Sequence, residues 1–280
     1  MKPLLHTLPT GGSGHGFSYW ASWMGCALQA ELKAARAAVQ KYDANSGRTV
    51  GSILHALLEL YYTRGKQHPF DACAVKYTQD SGDVADVDDN ARIEAERLFR
   101  AYRMRFPPDE LGKVLHAEVT VADSPAMDEA VGVSPFTIKP DLVVSLTGLQ
   151  AKRLRATRGI SIKSGRYIVD HKTDAAKWKI MYPRYFHDLR FTAYMVGWNA
   201  ARPACKVDGL IVNSLVKTTA VNFVTIVIPL PGRTETEALH RFMLDAQRIQ
   251  AQSLHEPNAT RCFDYNEVCP FLADGTCNRS

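Results

Sequence analysis

The spacing of apolar residues is helical in the first part of the chain and becomes strand-like after residue 113. Apolar positions three and four apart recur over residues 19–41, 50–64 and 91–106, which predicts three amphipathic helices. A Pro-Pro pair ends the third helix, and the acidic residues 80–90 are expected to form a linker before it. The N-terminal part of the protein is therefore predicted to be helical.

The rest of the chain is predicted to form a sheet with helices packed on it. We expect strands at residues 114–121, 136–146, 160–172, 209–215 and 221–228, and helices at residues 185–200 and 234–254. This order predicts an α/β (α+β) fold in which helices flank a central mixed sheet. The 280 residues are expected to form one compact unit with a helical region (1–113), a core (114–254) and a C-terminal cysteine segment (255–280).

Two of the predicted strands carry acidic residues among apolar neighbours. Asp141 lies in the segment IKPDLVV, whereas Asp170 and Lys172 lie in VDHKTD, two residues apart and on one strand face. These residues could be strand-end acids with a surface lysine as their partner. An unpaired carboxylate is costly in a buried strand, however, so the pattern favours two carboxylates that share a divalent cation. With the lysine, such a set can support metal-assisted phosphodiester hydrolysis.

Four further residues could take part in the same chemistry. His55, on the second predicted helix, is either a packed core histidine or a nitrogen ligand, which Mn²⁺ accepts more readily than Mg²⁺. Glu118, in LHAEVTV, is either a salt-bridged strand residue or an extension of the metal site. Arg190 and Tyr194 lie one helical turn apart and could contact a phosphate or a base, although Tyr194 could equally be a packed aromatic.

Overall composition is that of an ordinary globular protein, with 46% hydrophobic and 22% charged residues. No apolar run approaches the roughly 20 residues of a membrane span, and the N-terminus lacks the apolar core of a signal peptide. We therefore expect a cytoplasmic protein. The net charge of +5 does not by itself identify a nucleic-acid binder.

Basic residues are concentrated between the two acidic strands. Residues 149–167 contain no acid, and the segment is either a solvated loop or an arm that contacts a DNA backbone, such as an added hairpin. The candidate DNA-binding residues in it are Lys152, Arg153, Arg155, Arg158, Lys163 and Arg166.

The C-terminal segment contains three cysteines within sixteen residues, Cys262, Cys269 and Cys277. A cytosolic protein gains little from disulfides, whereas closely spaced thiolates bind zinc or an iron–sulfur cluster. A fourth ligand is then required, and Cys26 is the candidate. The six and seven intervening residues are wider than in typical zinc motifs, so unligated thiols are the alternative.

Taken together, these motifs resemble the PD-(D/E)xK nuclease superfamily, and within it the RecB-like and CRISPR-associated exonuclease branch. The resemblance spans residues 18–277 and implies a restriction-endonuclease-like core. Arg190 stands where the family has a glutamine, one turn before the retained tyrosine. The active-site residues that it implies are His55, Asp141, Asp170 and Lys172, with the retained Tyr194, and Glu118 is the further catalytic candidate from its place on the preceding strand.

The same resemblance implies cofactors, substrate and partners. The main-chain carbonyl of His171 joins His55, Asp141 and Asp170 in binding Mg²⁺ or Mn²⁺, while Lys172 orients water and stabilises charge on the phosphate. The four cysteines would hold a 4Fe–4S cluster, with zinc as the alternative. The expected activity is that of a DNA exonuclease on single strands or duplex ends. Recombination, repair or CRISPR-adaptation proteins are the expected partners, and a bacterial, phage or mobile-element origin fits such a nuclease.

Two other functions fit parts of the sequence. The first is a non-catalytic DNA-binding or assembly module on a nuclease fold, with purely structural metals. The second is a zinc protein organised by its C-terminal cysteines. The complete set of Asp141, Asp170 and Lys172 argues against the first.

Overall fold

The computed structural model describes residues 4–8, 15–27, 30, 46–64, 73–78, 84–86, 89–122, 124–174, 184–218 and 221–252. The helices are α1 (Phe17–Gly25), α2 (Ser46–Arg64), α3 (Asp89–Arg105), α4 (Pro125–Val131), α5 (Gly148–Arg158), α6 (Leu189–Ala201) and α7 (Arg233–Gln250). The strands are β1 (Leu4–Leu8), β2 (Cys73–Thr78), β3 (Val84–Asp86), β4 (Lys113–Ala117), β5 (Leu142–Leu146), β6 (Gly165–Asp174), β7 (Gly209–Val216) and β8 (Asn222–Pro229).

The central sheet has five strands in the order β4-β5-β6-β7-β8. Strands β5 and β6 pair antiparallel, β6 and β7 pair parallel, and β7 and β8 pair antiparallel. The parallel pair follows from the crossover through α6, because strands that run in the same direction need a long connection. The prediction of a mixed sheet in an α/β protein is confirmed. A second sheet of three strands has the order β1-β2-β3.

Helices cover both faces of the central sheet, because side chains of each strand alternate between two cores. In β6, Tyr167 and Val169 point into the core under α2, α3 and α5, whereas Ile168 points into the core under α1, α4, α6 and α7. The central strands are consequently buried on both faces, which explains their nearly continuous apolar sequences.

The predicted helices at residues 50–64 and 91–106 correspond to α2 and α3, and residues 185–200 and 234–254 correspond to α6 and α7. The predicted first helix is described as α1, and residues 31–45 lie outside the described part of the chain. None of the described helices combines the length and the apolar character that a bilayer crossing requires.

Two helices and several strand ends differ from the prediction. The basic segment after β5 was expected to be a loop or a hairpin, but it forms α5, which begins with a capping box between Thr147 and Gln150. The strand expected at 136–146 begins only at Leu142, because Pro140 has no N–H for a ladder hydrogen bond. Helix α4 was not predicted, and it begins with a hydrogen bond from the Met127 N–H to the Ser124 side chain.

Candidate metal centre

Three side chains from separate parts of the chain meet at the beginning of β5. His55, Glu118 and Asp141 each offer one ligand atom, and these atoms lie within 4.8 Å of one another. Nδ1 of His55 lies 3.1 Å from Oδ1 of Asp141. All three residues are partly buried. A nitrogen and two carboxylates at this spacing form a donor set that can bind a divalent cation.

Helix α2 places His55 at the edge of its apolar face. Ile53, Leu54, Leu57 and Leu58 are each 2% exposed or less and pack into the core. His55 lies between this buried face and the solvent, and its side chain is 28% exposed. The histidine therefore reaches the metal-binding group from a helix that is anchored by its other side chains.

Glu118 follows the last residue of β4 and has a left-handed backbone conformation, with φ at 50°. This conformation is uncommon for a residue with a side chain, and such residues occur at functional sites. The Glu118 N–H donates to the main-chain oxygen of Asp141 at 2.9 Å. Nζ of Lys139 lies 2.6 Å from Oε2 of Glu118, so the carboxylate has a cationic partner.

Neighbouring side chains of β6 lie on opposite faces of the sheet. Asp170 and Lys172 lie on one face as an ion pair, with Nζ of Lys172 2.6 Å from Oδ2 of Asp170. His171 lies on the other face, where its ring packs against the rings of Tyr62 and Tyr102. The His171 main-chain N–H donates to Oδ2 of Asp141 at 2.6 Å. Nδ1 of His171 also lies 3.5 Å from the same oxygen, so β6 contacts the Asp141 carboxylate through both the backbone and the side chain of His171.

The charges of the group shift its ionisation. Burial opposes ionisation of Asp141, but the His55 imidazole and the His171 side chain outweigh burial and hold the pKa of Asp141 well below its usual range. Burial lowers the pKa of His55, but the Asp141 carboxylate outweighs it, so the pKa lies above 6.5. Burial and the charge of Asp141 raise the pKa of Glu118, although Lys139 opposes the shift.

Helix α6 brings Arg190 and Tyr194 near the same acids. The pKa of Tyr194 is raised by burial and by the charges of Asp170 and Asp141, so its hydroxyl stays protonated. Arg190 donates to Oδ2 of Asp188 at 2.8 Å, and Asp188 also accepts the Arg190 N–H as the helix cap. Arg190 is therefore held at the beginning of α6 by its own cap residue.

The basic segment lies at the opposite end of β5 from the metal-binding group. Leu142 pairs with Val169 and Leu146 pairs with Gly165, and α5 follows Leu146. At roughly 3.3 Å per residue, β5 itself spans about 13 Å from Leu142 to Leu146, and α5 begins beyond its far end. Among the basic residues predicted to bind DNA, four are exposed and Arg166 is partly buried. The exposed ones are Lys152, Arg153, Arg155 and Lys163.

Arg158 was predicted to contact DNA, and the structure contradicts this. Its side chain is 1% exposed and pairs with Glu110 at 2.7 Å. It also donates to Oδ1 of Asn213 at 2.9 Å and to Oγ1 of Thr225 at 3.1 Å. Its guanidinium carbon lies 3.7 Å from the centre of the Phe106 ring. A buried and neutralised arginine is not available to a phosphate, so Arg158 is a structural residue.

The predicted cysteine cluster is described only at its first residue. Cys26 is 7% exposed and follows the last residue of α1. Cys262, Cys269 and Cys277 lie outside the described residues.

Sequence reasoning missed Lys139 and the aromatic pair beneath His171. Lys139 lies two residues before Asp141 in the segment IKPD, and this proximity to a candidate ligand was a signal for it. Tyr62 and Tyr102 carry no such signal, because each lies in an apolar helical pattern typical of core aromatics.

No family model matches this sequence, and no curated protein matches it. Among solved structures, the chain is similar to a crystal structure named "Putative exonuclease" from Eubacterium rectale. The two share 11% sequence identity with a TM-score of 0.48, and the match covers 89% of this chain and 92% of that chain.

Proposed function

We propose that the protein is a divalent-metal-dependent nuclease that hydrolyses phosphodiester bonds in DNA. The observation that carries this proposal is the meeting of His55, Glu118 and Asp141, together with the charges of the Asp170 and Lys172 ion pair, which act on His55. Carboxylate oxygens and an imidazole nitrogen fit Mg²⁺ or Mn²⁺, and the nitrogen favours Mn²⁺. The sequence resemblance to PD-(D/E)xK nucleases points to the same chemistry.

In this proposal His55, Asp141, Asp170 and the main-chain carbonyl of His171 would hold the cation, with Glu118 as a further ligand. When bound, the cation supplies an activated water and charge neutralisation at the phosphate. Asp141 is already held by the His171 N–H, so one of its oxygens is fixed in position. Residues that are fixed before binding lose little freedom when the substrate arrives.

Lys172 has the electrostatic role. It pairs with Asp170 at 2.6 Å, and its ammonium can turn from that carboxylate towards the phosphate. The water loses a proton as its oxygen bonds to phosphorus, the bond from phosphorus to the 3′ oxygen breaks, and that oxygen takes up a proton from solvent, which leaves a 5′ phosphate and a 3′ hydroxyl. Lys172 orients the water before this step and stabilises the negative charge that collects on the non-bridging oxygens during it.

The finer features of the proposal come from the sequence resemblance. We infer exonuclease action on single strands or duplex ends and a 4Fe–4S cluster on Cys26, Cys262, Cys269 and Cys277. Further contacts to the DNA backbone are assigned to the exposed basic residues of α5, Lys152, Arg153 and Arg155, with Lys163, Arg166 and Arg190.

Asp170→Ala and Lys172→Ala should each abolish DNA cleavage and leave the fold intact. Each variant removes a group that acts on the phosphate or its cation, so we expect losses of at least about 100-fold. Cleavage of labelled single-stranded and duplex DNA should be measured with Mg²⁺, with Mn²⁺ and with a chelator. Circular dichroism checks the fold, and Lys206→Met, a change at an exposed residue outside the site, is the control.

Full activity in either variant would contradict the proposed mechanism. A wild-type protein that binds DNA but leaves it intact with every cation would instead indicate a non-catalytic DNA-binding module.

A further inference from the structure

Two lysines flank Asp141, and the proposed mechanism uses only one of them. Lys172 pairs with Asp170 and Lys139 pairs with Glu118, each at 2.6 Å. The Lys139 side chain is 29% exposed and the Glu118 side chain is 18% exposed. The ammonium of Lys139 therefore lies beside the metal-binding group and near the solvent from which a substrate arrives.

The backbone holds Lys139 firmly in this place. Ile138 and Val121 exchange two main-chain hydrogen bonds, at 2.9 Å and 3.0 Å, on one side of Lys139. On its other side, the main-chain oxygen of Asp141 accepts the Glu118 N–H at 2.9 Å. The ring of Pro140 fixes the backbone between these two anchors. Lys139 and Glu118 thus come from two anchored segments that run side by side.

We propose that Lys139 is a second cationic residue that binds the phosphodiester. In the metal-free protein its ammonium neutralises Glu118, and when Glu118 turns towards a divalent cation the ammonium becomes free to contact a non-bridging phosphate oxygen. Because the pair is partly exposed to water, this exchange of partners costs little. Hydrogen bonds between an ammonium and an anionic oxygen are among the stronger ones in proteins. This inference rests on the proposed function, since it assigns a substrate contact at the same site.

The test compares Lys139→Met with Lys139→Arg, and Lys206→Met serves as a matched change at an exposed lysine. Binding of a single-stranded oligonucleotide in Ca²⁺, measured by fluorescence anisotropy over a range of salt, reports the phosphate contact. Loss of one contact lowers the salt slope of log K by roughly 0.7 for a single strand. We expect this drop in the salt slope in Lys139→Met only. Cleavage in Mn²⁺ should fall tenfold or more in the same variant, and Lys139→Arg should recover a substantial part of the cleavage.

Mn²⁺ titration by calorimetry separates this role from a structural one. Removal of Lys139 also removes the competitor for Glu118, so Lys139→Met should bind Mn²⁺ at least as tightly as the wild type. If Lys139 only orders Glu118, Mn²⁺ affinity falls together with cleavage, and the proposal is wrong. An unchanged salt slope in Lys139→Met overturns it as well. A wild-type protein without cleavage refutes the nuclease function, and the binding comparison then decides the Lys139 contact separately.

Discussion

The two oxygens of the Asp141 carboxylate have different partners. Oδ1 lies 3.1 Å from Nδ1 of His55, and Oδ2 accepts the main-chain N–H of His171. One oxygen thus accepts a hydrogen bond from the backbone of the neighbouring strand. The other is paired with His55, and a cation can separate these two side chains by binding between them. Metal ligands that are oriented by a second set of hydrogen bonds bind more tightly than unsupported ones.

The side chain of Glu118 is a candidate metal ligand, and its backbone is strained. A left-handed conformation costs a residue with a side chain about 1–2 kcal/mol relative to glycine. With φ at 50°, Glu118 should carry a cost of this order. At position 118 a ligand role therefore requires glutamate, whereas fold stability favours glycine.

A comparison of Glu118→Gly with Glu118→Ala tests this. Both variants lose the carboxylate, but only glycine relieves the backbone, so Glu118→Gly should unfold with about 1 kcal/mol more free energy than Glu118→Ala. Urea unfolding measures the difference, and Mn²⁺ calorimetry should show weakened binding in both. Equal stabilities, or a less stable glycine variant, would show that the strain is absent.

Helix α5 is held to the sheet by a buried polar network at its last residue. Arg158 pairs with Glu110, and Asn213 connects the arginine to the hydroxyl of Tyr102 at 2.7 Å. Tyr102 in turn contacts Tyr62, and both rings pack against His171. The network therefore extends from a surface helix to the strand that supports Asp141.

Arg158→Met should destabilise the protein strongly, because it leaves the Glu110 carboxylate buried without its partner. Loss of one member of a buried ion pair costs roughly 3–5 kcal/mol. Urea unfolding should show this loss, whereas Arg155→Met, on the exposed side of the same helix, should stay within about 0.5 kcal/mol of wild type.

The double variant Arg158→Met with Glu110→Met should recover much of that stability, since no buried charge then remains. A small effect of Arg158→Met alone would mean that the pair is accessible to water and would reopen a DNA contact for this arginine.

At the scale of the whole molecule, the sequence could predict elements but not where they meet. The stripe of Ile53, Leu54, Leu57 and Leu58 predicts α2 because burial follows the helical period. Ala151 and Leu154 are the apolar residues that α5 buries, so its apolar pattern was too weak to recognise. The neutralisation of Arg158 depends on contacts with distant segments, which no local pattern contains.

In the candidate site, too, the sequence indicates single residues but not the contacts between them. Asp141, Asp170 and Lys172 could be selected because acids and a lysine among apolar strand residues are unusual. His55 and Glu118 could be named only beside the alternatives of a packed histidine and a salt-bridged strand residue, because the three residues are far apart in sequence and meet only through tertiary packing. For Lys139 the sequence carried only its position two residues before Asp141, whereas its pairing with Glu118 depends on tertiary packing.

The first and last described helices lie against each other, which bears on the proposed cluster. The rings of Phe17 and Phe242 stack at 5.4 Å, and the Gln250 side chain donates to the Tyr19 hydroxyl at 2.6 Å. The end of α7 therefore lies on α1, the helix that Cys26 follows. Eleven residues lie between position 250 and Cys262, and extended chain spans up to roughly 3.3 Å per residue, so Cys262 has the length to reach Cys26.

The anaerobically purified protein should absorb broadly in the visible range and contain iron and acid-labile sulfide in equal amounts. Cys26→Ser should lose most of this absorbance and unfold at lower temperature, because the cluster would join the two ends of the chain and metal binding contributes to folding. Cys205→Ser, which changes a partly buried cysteine outside the proposed ligand set, should keep both the absorbance and the melting temperature. Zinc in place of iron would assign the same four thiolates to the alternative metal, whereas metal content that is identical in Cys26→Ser and wild type would remove Cys26 from the ligand set.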